Sequence, residues 1–271
     1  MPRSENRICW LFKALFHFIV AGARIVLHGL RRPRELKELG FMLYSTVNEF
    51  HQATHGRLAD FRETRTWRDM LAAGEFAAVN HAGMDKRVMR PVEVLVLAAL
   101  TRHLKPRTVF EIGTYGGFTT LHFAHNMGPE GRIYTLDLPP GAGAAGENAR
   151  LSYDDRQVME LSRKNIHNRI YRGTPQESKI VELFGDSRTF DYAPYLGQMD
   201  LVFIDGNHSR DYVRSDTENA FRMLSPRGAI LWHDFDYVIH RDIFKYLNRL
   251  SRERKIYAIR DTRLAIYGRD L

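Results

Sequence analysis

Apolar runs bounded by turn residues recur through the second half of the chain. They fall at Thr108–Ile112, Ile133–Leu136, Lys179–Phe184, Leu201–Ile204, Ala229–Trp232, Ile256–Ile259 and Leu264–Tyr267. Segments with helical spacing separate most of them, at Thr119–Asn126, Asp155–Ile166, Tyr212–Leu224 and Asp242–Arg252. Short apolar runs alternating with helices predict an α/β fold built on a mostly parallel sheet. Only Arg260-Asp261-Thr262-Arg263 joins the last two runs. That link is too short for a crossover helix, so these two strands are expected to pair antiparallel.

Upstream the pattern is helical. Pro91 opens the apolar stretch Val92 to Leu104, which stops at Lys105-Pro106; proline suits a first helical position, where no N–H is needed. Phe41, Leu43, Tyr44, Val47 and Phe50 recur at helical spacing, but the region to about Asn80 holds no chemical motif. Gly141-Ala142-Gly143-Ala144-Ala145-Gly146 reads as a loop. Three parts result: residues 1–40 as a helix and linker, 41–105 as a helical region, and 106–271 as the α/β domain.

The first part carries a separate signal. Lys13, His17, Arg24, His28 and Arg31 share one stripe of a helix, while Leu11, Phe12, Leu15, Phe18, Ile19, Ile25 and Val26 occupy the rest. Lys13 and Arg24 interrupt the uncharged run that a spanning helix requires. The pattern fits a helix lying in a membrane interface over residues 8–31, with its basic stripe toward anionic headgroups. A signal peptide ending near Ala21-Gly22-Ala23, a spanning anchor, and a helix packed on its own domain or on the second copy of a homodimer are the competing readings.

Charge adds to this division. The 271 residues carry 40 Lys and Arg against 32 Asp and Glu, a formal charge of +8. Residues 1–34 hold seven of those basic side chains against Glu5 alone, so the remainder is nearly neutral. A nucleic-acid partner would be met by a basic folded surface, and none is predicted. A single Cys9 excludes an internal disulfide and is compatible with a reducing compartment, so a cytoplasmic protein is expected, at the inner face of the membrane where the basic segment binds it.

Candidate chemistry gathers at the ends of the predicted strands. Glu111-Ile112-Gly113-Thr114-Tyr115-Gly116-Gly117-Phe118-Thr119 follows the first strand and opens a helix. Its glycines allow close backbone approach to a ligand, and the helix N-terminus offers unpaired N–H groups. Tyr115 stands where a dinucleotide fingerprint needs its second glycine, which counts against a nicotinamide-dependent oxidoreductase. Asp137 ends the second strand, 24 residues after Gly113, where an acid can accept ribose hydroxyls. Asp186, next to Ser187, ends the third strand and is placed to receive an adenine amino group. Asp205 and Asp234 end the fourth and fifth. Four acids thus line the carboxyl edge, where open α/β sheets bind ligands.

The glycine segment, Tyr134-Thr135-Leu136-Asp137, Gly185-Asp186-Ser187 and Leu201-Val202-Phe203-Ile204-Asp205 resemble, in order, motifs I to IV of the class I S-adenosylmethionine-dependent methyltransferases. The likeness is strongest to the catechol and caffeoyl-CoA O-methyltransferase branch. Asp200 to Asp234, with its Trp232-His233-Asp234 ending, is similar to a related bacterial group. The resemblance runs from about Pro91 to Tyr267 and implies a Rossmann-like, seven-stranded sheet with one antiparallel strand. It implies that Glu111, Gly113, Thr114, Tyr115, Gly117 and Thr119 border the methionine end of S-adenosylmethionine, that Asp137 holds the ribose, and that Asp186 and Ser187 flank the adenine. It also implies a divalent cation, Mg²⁺ or another, on Asp205 and Asp234. The asparagine that completes that cation site in relatives matches Phe235, and their catalytic lysine matches His208.

Methyl transfer to a hydroxyl needs in-line alignment and removal of a proton. His208, with an ordinary pKa near 6.5, is the expected base, and Asp205 is expected to act with it. A cation on Asp205 and Asp234 would instead acidify the hydroxyl. The expected activity is O-methylation of a small molecule, a glycan or a lipid-linked acceptor. A nicotinamide-dependent oxidoreductase and a non-catalytic, membrane-tethered nucleoside-binding protein are the alternatives.

Overall fold

A computed structural model describes residues 64–65, 89–140, 167–236, 240–260 and 262–268, all within the unit Gly56–Leu271. The basic segment 8–31, the helical pattern near 41–80, the loop at 141–146 and the helix expected at 155–166 lie outside the described residues.

In chain order the elements are β1 (Thr64–Arg65), α1 (Pro91–Leu104), β2 (Thr108–Ile112), α2 (Phe118–Asn126), β3 (Arg132–Asp137), β4 (Ile180–Phe184), β5 (Met199–Ile204), α3 (Arg210–Met223), β6 (Leu224–Trp232), α4 (Arg241–Leu250), β7 (Ile256–Ile259) and β8 (Leu264–Gly268). They form one mixed sheet in the order β1-β7-β8-β6-β5-β2-β3-β4. Strands β2 to β6 run parallel, and β8 lies antiparallel between β6 and β7. The expected seven strands and terminal hairpin are therefore present. The two residues of β1 extend the edge beside β7.

Alternation along the strands divides the core between two faces. Val109, Ile133, Leu201, Phe203 and Leu231 pack with Val94, Leu97 and Leu100 of α1 and Phe123 of α2. Phe110, Ile112, Val202, Ile204 and Trp232 pack with Val213 and Met223 of α3 and with Ile243 and Leu247 of α4. Burial on both sides explains why the central strands read as continuous apolar runs. Helix α1 starts at Pro91, and the Glu93 side chain accepts the Arg90 backbone N–H at 2.8 Å, which caps the first turn.

Strand β2 pairs with β3 on one side and β5 on the other, so the order of connection reverses there. The carboxyl ends of β2 and β5 consequently flank a crevice, the usual ligand position in such sheets. No helix among the described residues is long and apolar enough to cross a membrane.

Candidate functional site

The glycine segment turns sharply between β2 and α2. Gly113 has φ 101°, Tyr115 φ 48° and Gly117 φ 76°. A Cβ on Gly113 would lie 2.1 Å from the Asp205 carbonyl oxygen, and one on Gly117 would lie 2.4 Å from the Tyr171 ring. Neighbouring protein thus requires glycine at both positions, whereas Gly116 between them faces open space. The Thr114 and Thr135 hydroxyls are 2.6 Å apart and fasten the turn to β3. Thr119 is half-buried in the first turn of α2, whose N-cap is Gly117.

Glu111 does not border the open crevice. Its side chain is fully buried beneath the turn, where one carboxyl oxygen accepts the Thr120 and Thr135 hydroxyls. Burial pushes this carboxyl up to about 8, outweighing those hydrogen bonds, so it is protonated at neutral pH.

Asp137 does stand at the crevice, half-buried at the end of β3. Its Oδ2 accepts the Tyr115 backbone N–H at 3.2 Å and Arg169 Nη2 at 3.1 Å, and its Oδ1 accepts the Leu138 N–H at 2.8 Å. Arg169 is buried and also pairs with Glu182 at 2.9 Å. The Ile170 N–H donates to the Gly116 carbonyl, so the segment after residue 167 braces the glycine turn. Asp186 accepts the Arg188 N–H and the Tyr212 hydroxyl, at 2.9 and 3.0 Å. Behind it, Asp216 is fully buried near Ser187, and burial pushes its carboxyl up to about 7.

The remaining predicted residues converge on the other lip of the crevice. His233 lies between three carboxylates: Nδ1 is 3.1 Å from Asp205 Oδ1 and 3.3 Å from Asp234 Oδ2, and Nε2 is 3.3 Å from Glu93 Oε2. Arg263, in the β7–β8 turn, donates from Nη1 to Asp234 Oδ1 at 2.7 Å and from Nη2 to Glu93 Oε2 at 3.1 Å. His208 Nε2 is 3.1 Å from Asp234 Oδ2, and His240 Nδ1 is 3.6 Å from Asp234 Oδ1. Asp234 itself has φ 54°, a left-handed conformation that a non-glycine residue adopts at a cost when its surroundings fix it.

These contacts set the charges. Burial opposes ionisation of His233, but Asp234 and Asp205 outweigh it and hold the imidazole well above its ordinary pKa. Burial likewise opposes ionisation of Asp234, yet His233, His240 and Arg263 hold it well below the usual carboxylate range. Glu93 is lowered for the same reason, by His233 and then Arg263 against its own burial. Phe235 is buried and stacks on Phe244, with centroids 5.0 Å apart. An all-oxygen Mg²⁺ shell suits these residues poorly: Phe235 supplies no donor, His233 stands between Asp205 and Asp234, and Arg263 engages Asp234 Oδ1.

The structure brings the predicted Asp205, His208 and Asp234 together at this lip. Sequence reasoning missed Glu93, Arg169, Asp216, His240 and Arg263. Glu93 left one local trace, an acid two residues after Pro91 in a helix's first turn. Its pairing with Arg263, 170 residues away, left none.

Residues 110–235 match the sequence profile of a family described as "Methyltransferase domain". A catechol O-methyltransferase of Mycobacterium tuberculosis is 29% identical over 165 residues, which cover 60% of this chain and 63% of that protein. A transmembrane O-methyltransferase homolog of Mus musculus is 35% identical over 147 residues, covering 54% of this chain and 50% of that one. A solved O-methyltransferase of Bacillus cereus in complex with S-adenosylhomocysteine superposes with a TM-score of 0.46 at 14% identity, over 83% of this chain and 97% of that one. The chain thus spans less than two thirds of the length of the first two relatives.

Proposed function

We propose that the chain is a class I S-adenosylmethionine-dependent methyltransferase, a reading supported by the match of residues 110–235 to a methyltransferase domain and by the likeness to a catechol O-methyltransferase, and that it transfers the cofactor's methyl group to a hydroxyl of a small molecule. The observation that carries the proposal is the contact between Gly113 and the Asp205 carbonyl. It supports a reading in which the glycine turn serves the cofactor and the adjoining acidic cluster serves the acceptor.

In this reading the turn from Gly113 to Gly117, with Thr114, Tyr115 and Thr119, supports the methionine end of S-adenosylmethionine. Asp137 takes the ribose hydroxyls, and Asp186 with Ser187 flanks the adenine. Glu111 acts from below, as a buried support of the turn. His208 accepts the acceptor's proton, its ring standing with Nε2 3.1 Å from Asp234 Oδ2. Asp205, half-buried beside it, orients the hydroxyl. Asp234 also compensates the positive charge that His208 gains, as the acid does in other acid–histidine pairs.

His208→Ala is expected to lower kcat about 10²–10⁴-fold while leaving the calorimetric affinity for S-adenosylhomocysteine unchanged. Unaltered turnover would remove His208 as the base. Absence of any heat with that ligand would remove the whole reading. The relative's name makes catechols the first acceptors to assay. The basic segment 8–31 supports an acceptor presented at a membrane's inner face, such as a glycan or a lipid-linked molecule.

A further inference from the structure

Two imidazoles converge on one carboxylate at the carboxyl end of β6. His208 Nε2 is 3.1 Å from Asp234 Oδ2, and His240 Nδ1 is 3.6 Å from Asp234 Oδ1. One ligand atom from each residue lies within 4.8 Å of the other two. The histidine rings sit with centroids 4.3 Å apart. His240 Nδ1 is buried and makes no hydrogen bond, and a buried polar atom in that state calls for a partner.

Ions of the zinc type hold nitrogen and oxygen ligands at about 2.0–2.1 Å, which separates donors in a tetrahedral shell by roughly 3.3 Å. His208 Nε2 lies 3.1 Å from one oxygen of Asp234 and His240 Nδ1 3.6 Å from the other, each near that spacing. Arg263 on Asp234 Oδ1 then plays the orienting part that outer partners of ligating carboxylates play in metal sites.

We propose that His208, Asp234 and His240 form a binding site for a divalent transition-metal ion of the zinc or cobalt kind. Two imidazoles and one carboxylate match the ligand preference of such ions and not that of Mg²⁺. The ion would lie between His208 Nε2 and Asp234, where the buried Nε2 makes no hydrogen bond. Three protein ligands leave one position open for an exogenous oxygen. The site stands on these three side chains whether or not the chain transfers methyl groups.

The test uses the untagged full-length chain, stripped with chelator and titrated with Co²⁺. One equivalent is expected to bind with the strong visible absorption of four-coordinate cobalt. Zn²⁺ should displace it, and excess Mg²⁺ should not. His240→Ala and His208→Ala are each expected to weaken Co²⁺ binding at least about tenfold, whereas Asp205→Asn should leave it in place. Heat released with S-adenosylhomocysteine by His240→Ala would establish that the variant is folded. The proposal fails if Co²⁺ uptake does not saturate at one equivalent. It also fails if uptake survives His240→Ala and is lost in Asp205→Asn, which would put the ion on Asp205, His233 and Asp234.

Discussion

Glu93 and Glu111 are both removed from solvent, and their neighbours send them in opposite directions. Glu93 meets His233 and Arg263 and stays ionised. Glu111 meets the hydroxyls of Thr120 and Thr135, which do not repay burial, so its carboxyl rises from 4.5 to about 8. A carboxyl raised in the folded state binds its proton more tightly there than in the unfolded chain. Its contribution to stability is therefore full below pH 4.5 and is lost as pH climbs through 8. Urea titrations across this window should show stability falling by roughly 1 kcal/mol per pH unit from this group. Glu111→Gln, which keeps the shape and carries no charge, should flatten the slope; an unchanged slope would mean that Glu111 is ionised.

At the scale of elements, helix α1 is tied to the β7–β8 turn by that same Glu93. It caps its own helix at Arg90 and accepts from the Arg263 backbone and guanidinium at 2.8 to 3.2 Å. Removing one member of a buried pair leaves the other charged and unsolvated, at a cost of about 3–5 kcal/mol. Glu93→Ala is expected to destabilise by that order in urea. The same change made in an Arg263→Met background should cost markedly less, because the stranded cation is gone. Equal costs in the two backgrounds would show that the pair is not coupled. The pair also marks where sequence stops being informative. Strands β2 and β7 agree with their apolar runs to the residue, because burial on both faces leaves a continuous signal. Strand β6 begins five residues before its run, through Ser225-Pro226-Arg227-Gly228, where pairing with β5 is irregular. The acids at strand ends were legible because β-strands end where apolar runs end. Arg169 beside Asp137 and Arg263 beside Asp234 were not, since each pairing depends on which distant loop returns over the sheet edge.

At the scale of the whole chain, the sheet edge and the basic N-terminal segment are two separate devices. The edge holds its charges in pairs, and the domain is nearly neutral, whereas residues 1–34 hold seven Lys and Arg against one acid. Basic side chains near an anionic bilayer contribute about 1 kcal/mol each, an attraction that fades within a Debye length. Adding the apolar surface of residues 8–31, an interfacial helix should bring the full chain down with vesicles containing phosphatidylserine. Neutral vesicles should retain less of it, and half-molar salt should release a large part of the difference. A chain lacking residues 1–35 should stay in the supernatant while still binding S-adenosylhomocysteine with the affinity of the full chain. Sedimentation of that truncated form would assign the membrane contact to the folded domain. Retention of the full chain at high salt on both kinds of vesicle would instead mean that apolar insertion, and not the basic stripe, supplies the anchor.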